Sequence, residues 1–126
     1  IENSDYAIRK TIKTVKKFVK KVENFSDLES IIIKFDCIIA LGAIYIHTLN
    51  DAIKLLKNIQ KLCKGKSFIT LASYKNNNDF MLFRYWTLLG TTILKKKEWI
   101  KVLKHTKYSG DYKFTSSKYL NIVLNK

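Results

Sequence analysis

Proline is absent from the 126 residues, and glycine occurs only four times, at Gly42, Gly65, Gly90 and Gly110. Neither a Pro/Gly-rich linker nor an internal repeat is visible, so the chain reads as a single domain, long enough to bury a core without staples. Only two cysteines are present, Cys37 and Cys63, and they lack metal-ligand spacing. They read as buried free thiols of a reducing, cytoplasmic compartment, and no metal site is expected. No apolar run approaches the length of a membrane span, and the acidic, polar opening residues carry no signal-peptide pattern. No membrane partner is expected. Arginine is nearly missing as well: Arg9 and Arg84 are the only two among 24 basic residues, against 10 acids, for a net charge of +14. Such a charge invites a nucleic-acid reading. The lysine-for-arginine, isoleucine-rich make-up instead suits an A/T-rich coding sequence, because arginine is the residue a specific phosphate or guanine reader keeps. Nucleic acid is therefore a possible but not the favoured partner. Hydrophobic content of 47% with 13% aromatics excludes a disordered chain.

What is present centres on Lys34 to Tyr74. Phe35-Asp36 leads into the apolar run Cys37-Ile38-Ile39-Ala40-Leu41, closed by Gly42, which predicts a fully buried strand. From Leu49 to Leu62 the period changes. Leu49, Ala52, Ile53, Leu55, Leu56, Ile59 and Leu62 share one stripe, with Asp51, Lys54, Lys57, Asn58 and Lys61 opposite, predicting an amphipathic helix. Thr48 or Asn50 can cap its start, and Gly65 stands where a helix C-terminus favours glycine. Ser67 to Ala72 predicts a second buried strand. Strand, helix and strand in this order make a βαβ unit, hence a parallel pair with a right-handed crossover.

Around this unit, a helix is predicted from Tyr6 to about Lys17, capped by Asn3, Ser4 or Asp5, with Lys10, Lys13, Lys16 and Lys17 on its solvated faces. Lys17–Glu23 is a short strand candidate. Ser26 to Ile33 predicts a short helix or turn, with Ser26 and Glu29 as a capping box. Lys75 to Asp79 predicts a polar loop, Phe80–Leu89 a helix, and Lys96–His105 another. Tyr108–Thr115 and Lys118–Leu124 predict an antiparallel terminal hairpin.

The ordered set resembles the second half of a class I S-adenosylmethionine-dependent methyltransferase. It consists of Phe35-Asp36 before a strand, Leu41-Gly42-Ala43 at its end, a helix, Lys64-Gly65-Lys66 and a strand closing on Ser73-Tyr74. It continues through Trp86, Glu98-Trp99 and Tyr108-Ser109-Gly110-Asp111-Tyr112. Ile1-Glu2-Asn3-Ser4-Asp5-Tyr6-Ala7 is similar to the passage that closes the family's second strand. Two departures stand out. Leu62-Cys63-Lys64-Gly65-Lys66 replaces the family's L-K-P-G-G, and the glycine-rich cofactor turn of the first strand is absent.

The resemblance implies a partial Rossmann-like α/β fold, a three-layer α/β/α arrangement with a mostly parallel sheet and an antiparallel C-terminal hairpin. It further implies an amino-terminally truncated form of such a domain. The implied cofactor is S-adenosylmethionine and the implied reaction is methyl transfer to a small molecule. Glu2 would accept both ribose hydroxyls, since two carboxylate oxygens match a cis-diol. Glu23 or Asn24 would lie near the adenine, and Ala40, Leu41 and Gly42 would line the cofactor at a strand tip. Tyr45, His47, Tyr74 and Trp86 would face the substrate, with His47 and Tyr45 the candidates for proton transfer. A loop histidine with no chemical part and a tryptophan packed in the core are the simpler readings of His47 and Trp86. Two alternatives stand beside the enzyme: a non-catalytic module that pairs with another chain supplying a strand, and a basic nucleic-acid-binding protein.

Overall fold

The computed structural model describes residues 1, 2, 4–23 and 25–119. They fall into two compact units, Ile1–Ile32 and Ile33–Lys126.

In the first unit, the helix expected from Tyr6 to Lys17 is broken in two. Helix α1 covers Asp5–Lys10, with the Ser4 hydroxyl accepting the Ala7 N–H, and α2 covers only Lys13–Lys16. Thr11 and Ile12 between them are extended, with ψ of 136° and 134°. The Thr11 hydroxyl donates to the Ala7 carbonyl at 2.8 Å. A β-branched residue that hydrogen-bonds its own helix backbone weakens helix continuation. The strand expected over Lys17–Glu23 reduces to a single parallel bridge between Lys21 and Glu2. Lys21 also binds the carboxylates of Asp5 (2.9 Å) and Glu23 (2.7 Å), which push its pKa up to about 12. Helix α3 spans Phe25–Glu29, so Ser26 lies inside the helix for which it was the expected cap.

The second unit contains the βαβ element. Strand β1 (Phe35–Ala40) and strand β2 (Cys63–Tyr74) are parallel and joined by α4 (Leu49–Leu62). The boundaries of α4 follow its apolar stripe. Ala52, Leu56, Ile59 and Leu62 are buried, and the Thr48 side chain caps the start through the Asp51 N–H. Gly65 is not the helix cap. The cap residue is Cys63, already extended at φ −87°, and Gly65 lies in β2 at a register shift, where Phe35 faces Cys63 but Cys37 faces Lys66. A Cβ on Gly65 would come within 2.3 Å of the Asp36 carbonyl oxygen, so glycine is required there by the close approach of two backbones.

Strand β1 is not fully buried. Among the described residues it pairs only with β2, and one of its faces is open. Ile38 and Ala40, opposite Ser67 and Ile69, pack toward the core, while Cys37 and Ile39, opposite Lys66 and Phe68, are exposed. Ile39 and Leu41 are each 65% exposed. The thiols are therefore not buried: Cys37 is exposed and Cys63 half-buried. Strand β2 carries the core. Ser67, Ile69, Leu71 and Ser73 are buried on one face, and Ala72 is buried on the other.

The residues expected as a loop, Lys75–Asp79, mostly begin a helix. Asn76 accepts the Asp79 N–H at 2.9 Å and Asp79 accepts the Lys75 N–H at 3.0 Å, capping α5 (Asn77–Trp86). The two-residue β3 (Leu94–Lys95) is parallel to the end of β2, and α6 (Lys96–His105) follows with the Lys95 N–H held by the Glu98 carboxylate. Trp99 of α6 is wholly buried and its indole N–H donates to the Ala72 carbonyl at 2.7 Å.

Strand β4 (Asp111–Thr115) is shorter than expected and pairs with β2 in parallel, Phe68 opposite Asp111 through Ala72 opposite Thr115. Tyr108 and Ser109 do not join the ladder because side chains hold them. Ser109 bonds Gln60, and the Tyr108 hydroxyl accepts from Ser67. Ser117–Tyr119 forms a 3₁₀ turn. The expected hairpin partner from residue 120 onward lies outside the described residues.

Candidate functional site

In parallel sheets, ligands gather at the carboxyl ends of the strands, where helix N-termini and loops converge. In this chain that end of β1 is the turn Leu41-Gly42. Gly42 has φ +69°, in the left-handed region where a Cβ is costly. Its N–H donates to the Thr70 hydroxyl of β2 at 2.7 Å, pinning the turn to the neighbouring strand. An added Cβ would meet the Tyr45 hydroxyl at 3.5 Å, and no other atom of the described residues beyond its chain neighbours within 4 Å. The strand tip is therefore backbone that a ligand can approach.

The following loop is fixed by main chain and hydroxyls. Ile44 and Tyr45 are buried, and the Tyr45 carbonyl accepts the N–H groups of both Thr91 and Thr92 at 2.9 Å. The Thr92 hydroxyl donates to the His47 carbonyl at 2.7 Å, and the Thr91 hydroxyl to that of Ile46 at 3.0 Å. This zipper orders Tyr45 and His47 although they lie in no helix or strand. Burial raises the Tyr45 pKa, so at neutral pH its phenol is protonated and offers a hydrogen-bond donor rather than a base. His47 is half-buried.

Tyr74 ends β2, five residues beyond Ile69, the partner of Ala40, and pairs there with Lys95 of β3. Its ring stands edge-to-face with Phe80 at 5.1 Å, with the Lys95 ammonium 5.7 Å from its centroid. Beside it, Ser73 is 2% exposed and its hydroxyl has no hydrogen-bond partner among the described residues. Trp86, at the end of α5, is 48% exposed and edge-to-face with Phe83, so it is not a core tryptophan; Trp99 is.

Gly42 and Tyr45 are thus brought together, with Ala40 half-buried and Leu41 exposed beside them, whereas Tyr74 lies further along β2, against Phe80 and Lys95. Glu2 and Glu23 belong to the first unit. The Glu2 carboxylate accepts the Ser4 N–H at 2.9 Å, and Glu23 is held by Lys21. Asn24 lies outside the described residues. Thr70, Thr91 and Thr92 were not legible as site residues, because a lone threonine carries no spacing signal and these act through contacts 28 to 45 residues away in sequence. Among the described residues, no three His, Cys, Asp or Glu side chains gather where they could hold a metal.

A cavity of about 140 Å³ lies elsewhere, at the amino end of β2 and β4, lined among others by Gln60, Lys66, Ser67, Ser109 and Asp111. Its polar groups largely bond one another. Gln60 bonds Ser109 at 3.0 Å, and Ser67 donates to the Tyr108 hydroxyl, which donates to the Asp111 carbonyl at 3.1 Å.

These elements define a mixed α/β protein with a mostly parallel, open sheet in which β1, β2 and β4 run in one direction. No helix among the described residues is long and apolar enough to cross a membrane. Comparison of the chain with protein-family models, with curated proteins and with solved structures found no match.

Proposed function

We propose that this chain is a methyltransferase domain of the class I type, transferring a methyl group from S-adenosylmethionine to a small molecule. The observation that carries the reading is the tip of β1. Gly42 turns the backbone left-handed there, is tied to β2 through Thr70, and stands next to the protonated Tyr45 phenol. An adenosine-bearing ligand needs bare backbone to approach and donors at fixed positions, and the chain supplies both at the carboxyl end of a βαβ unit. The cofactor, when bound, supplies an electrophilic methyl group on a sulfonium. The chain's own part is positioning, which is most of what an in-line transfer requires. In this reading Ala40, Leu41 and Gly42 hold the cofactor's edge. Tyr45 orients the acceptor by donating a hydrogen bond, His47 takes the acceptor's proton, and Tyr74 and Trp86 offer aromatic surface to it.

Isothermal titration of the chain with S-adenosylmethionine and S-adenosylhomocysteine at moderate salt tests this. Micromolar binding of either, weakened at least about tenfold by Gly42→Val through a side chain placed in the left-handed turn, is the expected result. Heat from neither ligand would sink the proposal.

A second reading, a non-catalytic module that pairs with a strand of another chain, is favoured by the edge of β1. Its exposed Cys37, Ile39 and Leu41 adjoin a strand with one hydrogen-bonded neighbour among the described residues. A monomeric mass at high concentration together with cofactor binding would count against it.

A further inference from the structure

The first unit presents a surface that the proposed cofactor chemistry does not use. From Ile12 to Val19 the chain forms α2 and a following turn: the Ile12 C=O accepts the N–H groups of Val15 (2.9 Å) and Lys16 (3.0 Å), the Phe18 N–H donates to the Val15 C=O (2.9 Å) and the Val19 N–H to the Lys16 C=O (3.1 Å). Ile12, Val15 and Phe18 recur at every third position and are 72%, 50% and 75% exposed. Lys13, Lys16, Lys17 and Lys20 are interspersed with them, all exposed, with Arg9 and Lys10 just before. The Lys17 ammonium lies 4.9 Å from the Phe18 ring centroid, and that of Lys10 lies 6.0 Å from the ring of Tyr6, itself 65% exposed.

Exposed apolar side chains interspersed with cations suit an interfacial element. The apolar groups enter the headgroup region while the charges stay among anionic headgroups. A nucleic acid would use the lysines and could stack on Tyr6 or Phe18, but Ile12 and Val15 offer no stacking face. Lysine, a compact point charge, suits a diffuse anionic sheet, whereas arginine's fork suits a fixed phosphate. We propose that exposed Ile12, Val15 and Phe18 with their interspersed lysines are a docking surface for an anionic lipid bilayer. Contact is peripheral and requires no spanning helix.

The test is co-sedimentation of the full chain with phosphatidylcholine vesicles with and without phosphatidylserine. Binding to the anionic vesicles alone is expected. The triple variant Lys13→Glu, Lys16→Glu, Lys17→Glu should lower the partition coefficient on the order of 100-fold, since each lysine near an anionic surface is worth roughly fivefold. The double variant Ile12→Asn, Phe18→Ser should lower it on the order of tenfold or more by removing inserted apolar area. Both sets alter exposed side chains, and circular dichroism verifies that each variant is folded. Absence of the unmodified chain from the anionic pellet, which needs no variant, would overturn the proposal. An Ile12→Asn, Phe18→Ser variant that binds like the unmodified chain would also overturn it, since charge alone would then suffice. So would binding to a single-stranded polyuridylate that anionic vesicles fail to compete away, which would assign the surface to a nucleic acid.

Discussion

Replacing Gly65 by alanine should destabilise the chain through one contact. The added Cβ would lie 2.3 Å from the Asp36 carbonyl oxygen, 3.3 Å from the carbonyl carbon and 3.8 Å from its Cα. Real Cβ atoms essentially never come closer than 3.0 Å to such a neighbour, so one strand must move by about 0.7 Å. The obstructing atom is backbone within β1, and no rotamer change can remove it. Inserting one carbon into a well-packed site commonly costs about 1–3 kcal/mol, and a fixed backbone obstacle places this case near 3 kcal/mol. For a chain of this size that corresponds to a fall in Tm of about 12 °C, at about 4 °C per kcal/mol. Urea unfolding followed by circular dichroism measures the difference, with the exposed neighbour Lys64→Ala as a control expected within about 0.5 kcal/mol of the parent. A loss below about 1 kcal/mol for Gly65→Ala would refute the reasoning. It would mean that Gly65 and Asp36 do not meet and that the β1–β2 register, on which the placement of Gly42 beside Thr70 depends, is different.

Two further outcomes follow from buried polar contacts. Trp99→Phe keeps an aromatic ring but removes the donor to the Ala72 carbonyl and leaves space in the core, and should cost about 2–4 kcal/mol by chemical denaturation. A cost near zero would show that the indole N–H bond is not made. Burial raises the pKa of both Tyr45 and Tyr108, the latter opposed by the Ser67 hydrogen bond. A raised folded-state value means stability present in full below the unfolded value of about 10 and lost as pH rises through the folded value. Stability should therefore fall above pH about 10, and tyrosinate absorbance should show Tyr45 and Tyr108 ionising later than the exposed tyrosines. Tyr108→Phe should shrink that alkaline loss, and an unchanged profile would contradict the assignment.

The sequence by itself determined those parts of the fold that rest on local pattern. Helix α4 begins and ends where its stripe of Ala52, Leu56, Ile59 and Leu62 and its Thr48 cap require, and α6 spans the predicted Lys96–His105. The parallel pairing of β1 and β2 also followed, since a strand–helix–strand order of this length leaves little choice. Local pattern misled where the deciding partner lay far off in the chain. Cys37-Ile38-Ile39-Ala40-Leu41 reads as a buried run, yet burial depends on what covers each face, and on β1 only Ile38 and Ala40 are covered. Gly65 carried a glycine signal whose cause was misread, a backbone approach rather than a helix cap. The candidate site divides in the same way. Gly42 and Tyr45 were legible from their place after a strand, whereas Thr70, Thr91 and Thr92, which pin the turn and the loop, were not. Hydrophobic period and capping act within a few residues and are written in the chain. Edge exposure, backbone approach and hydroxyl-to-carbonyl ties between distant segments exist only once the strands have been laid side by side.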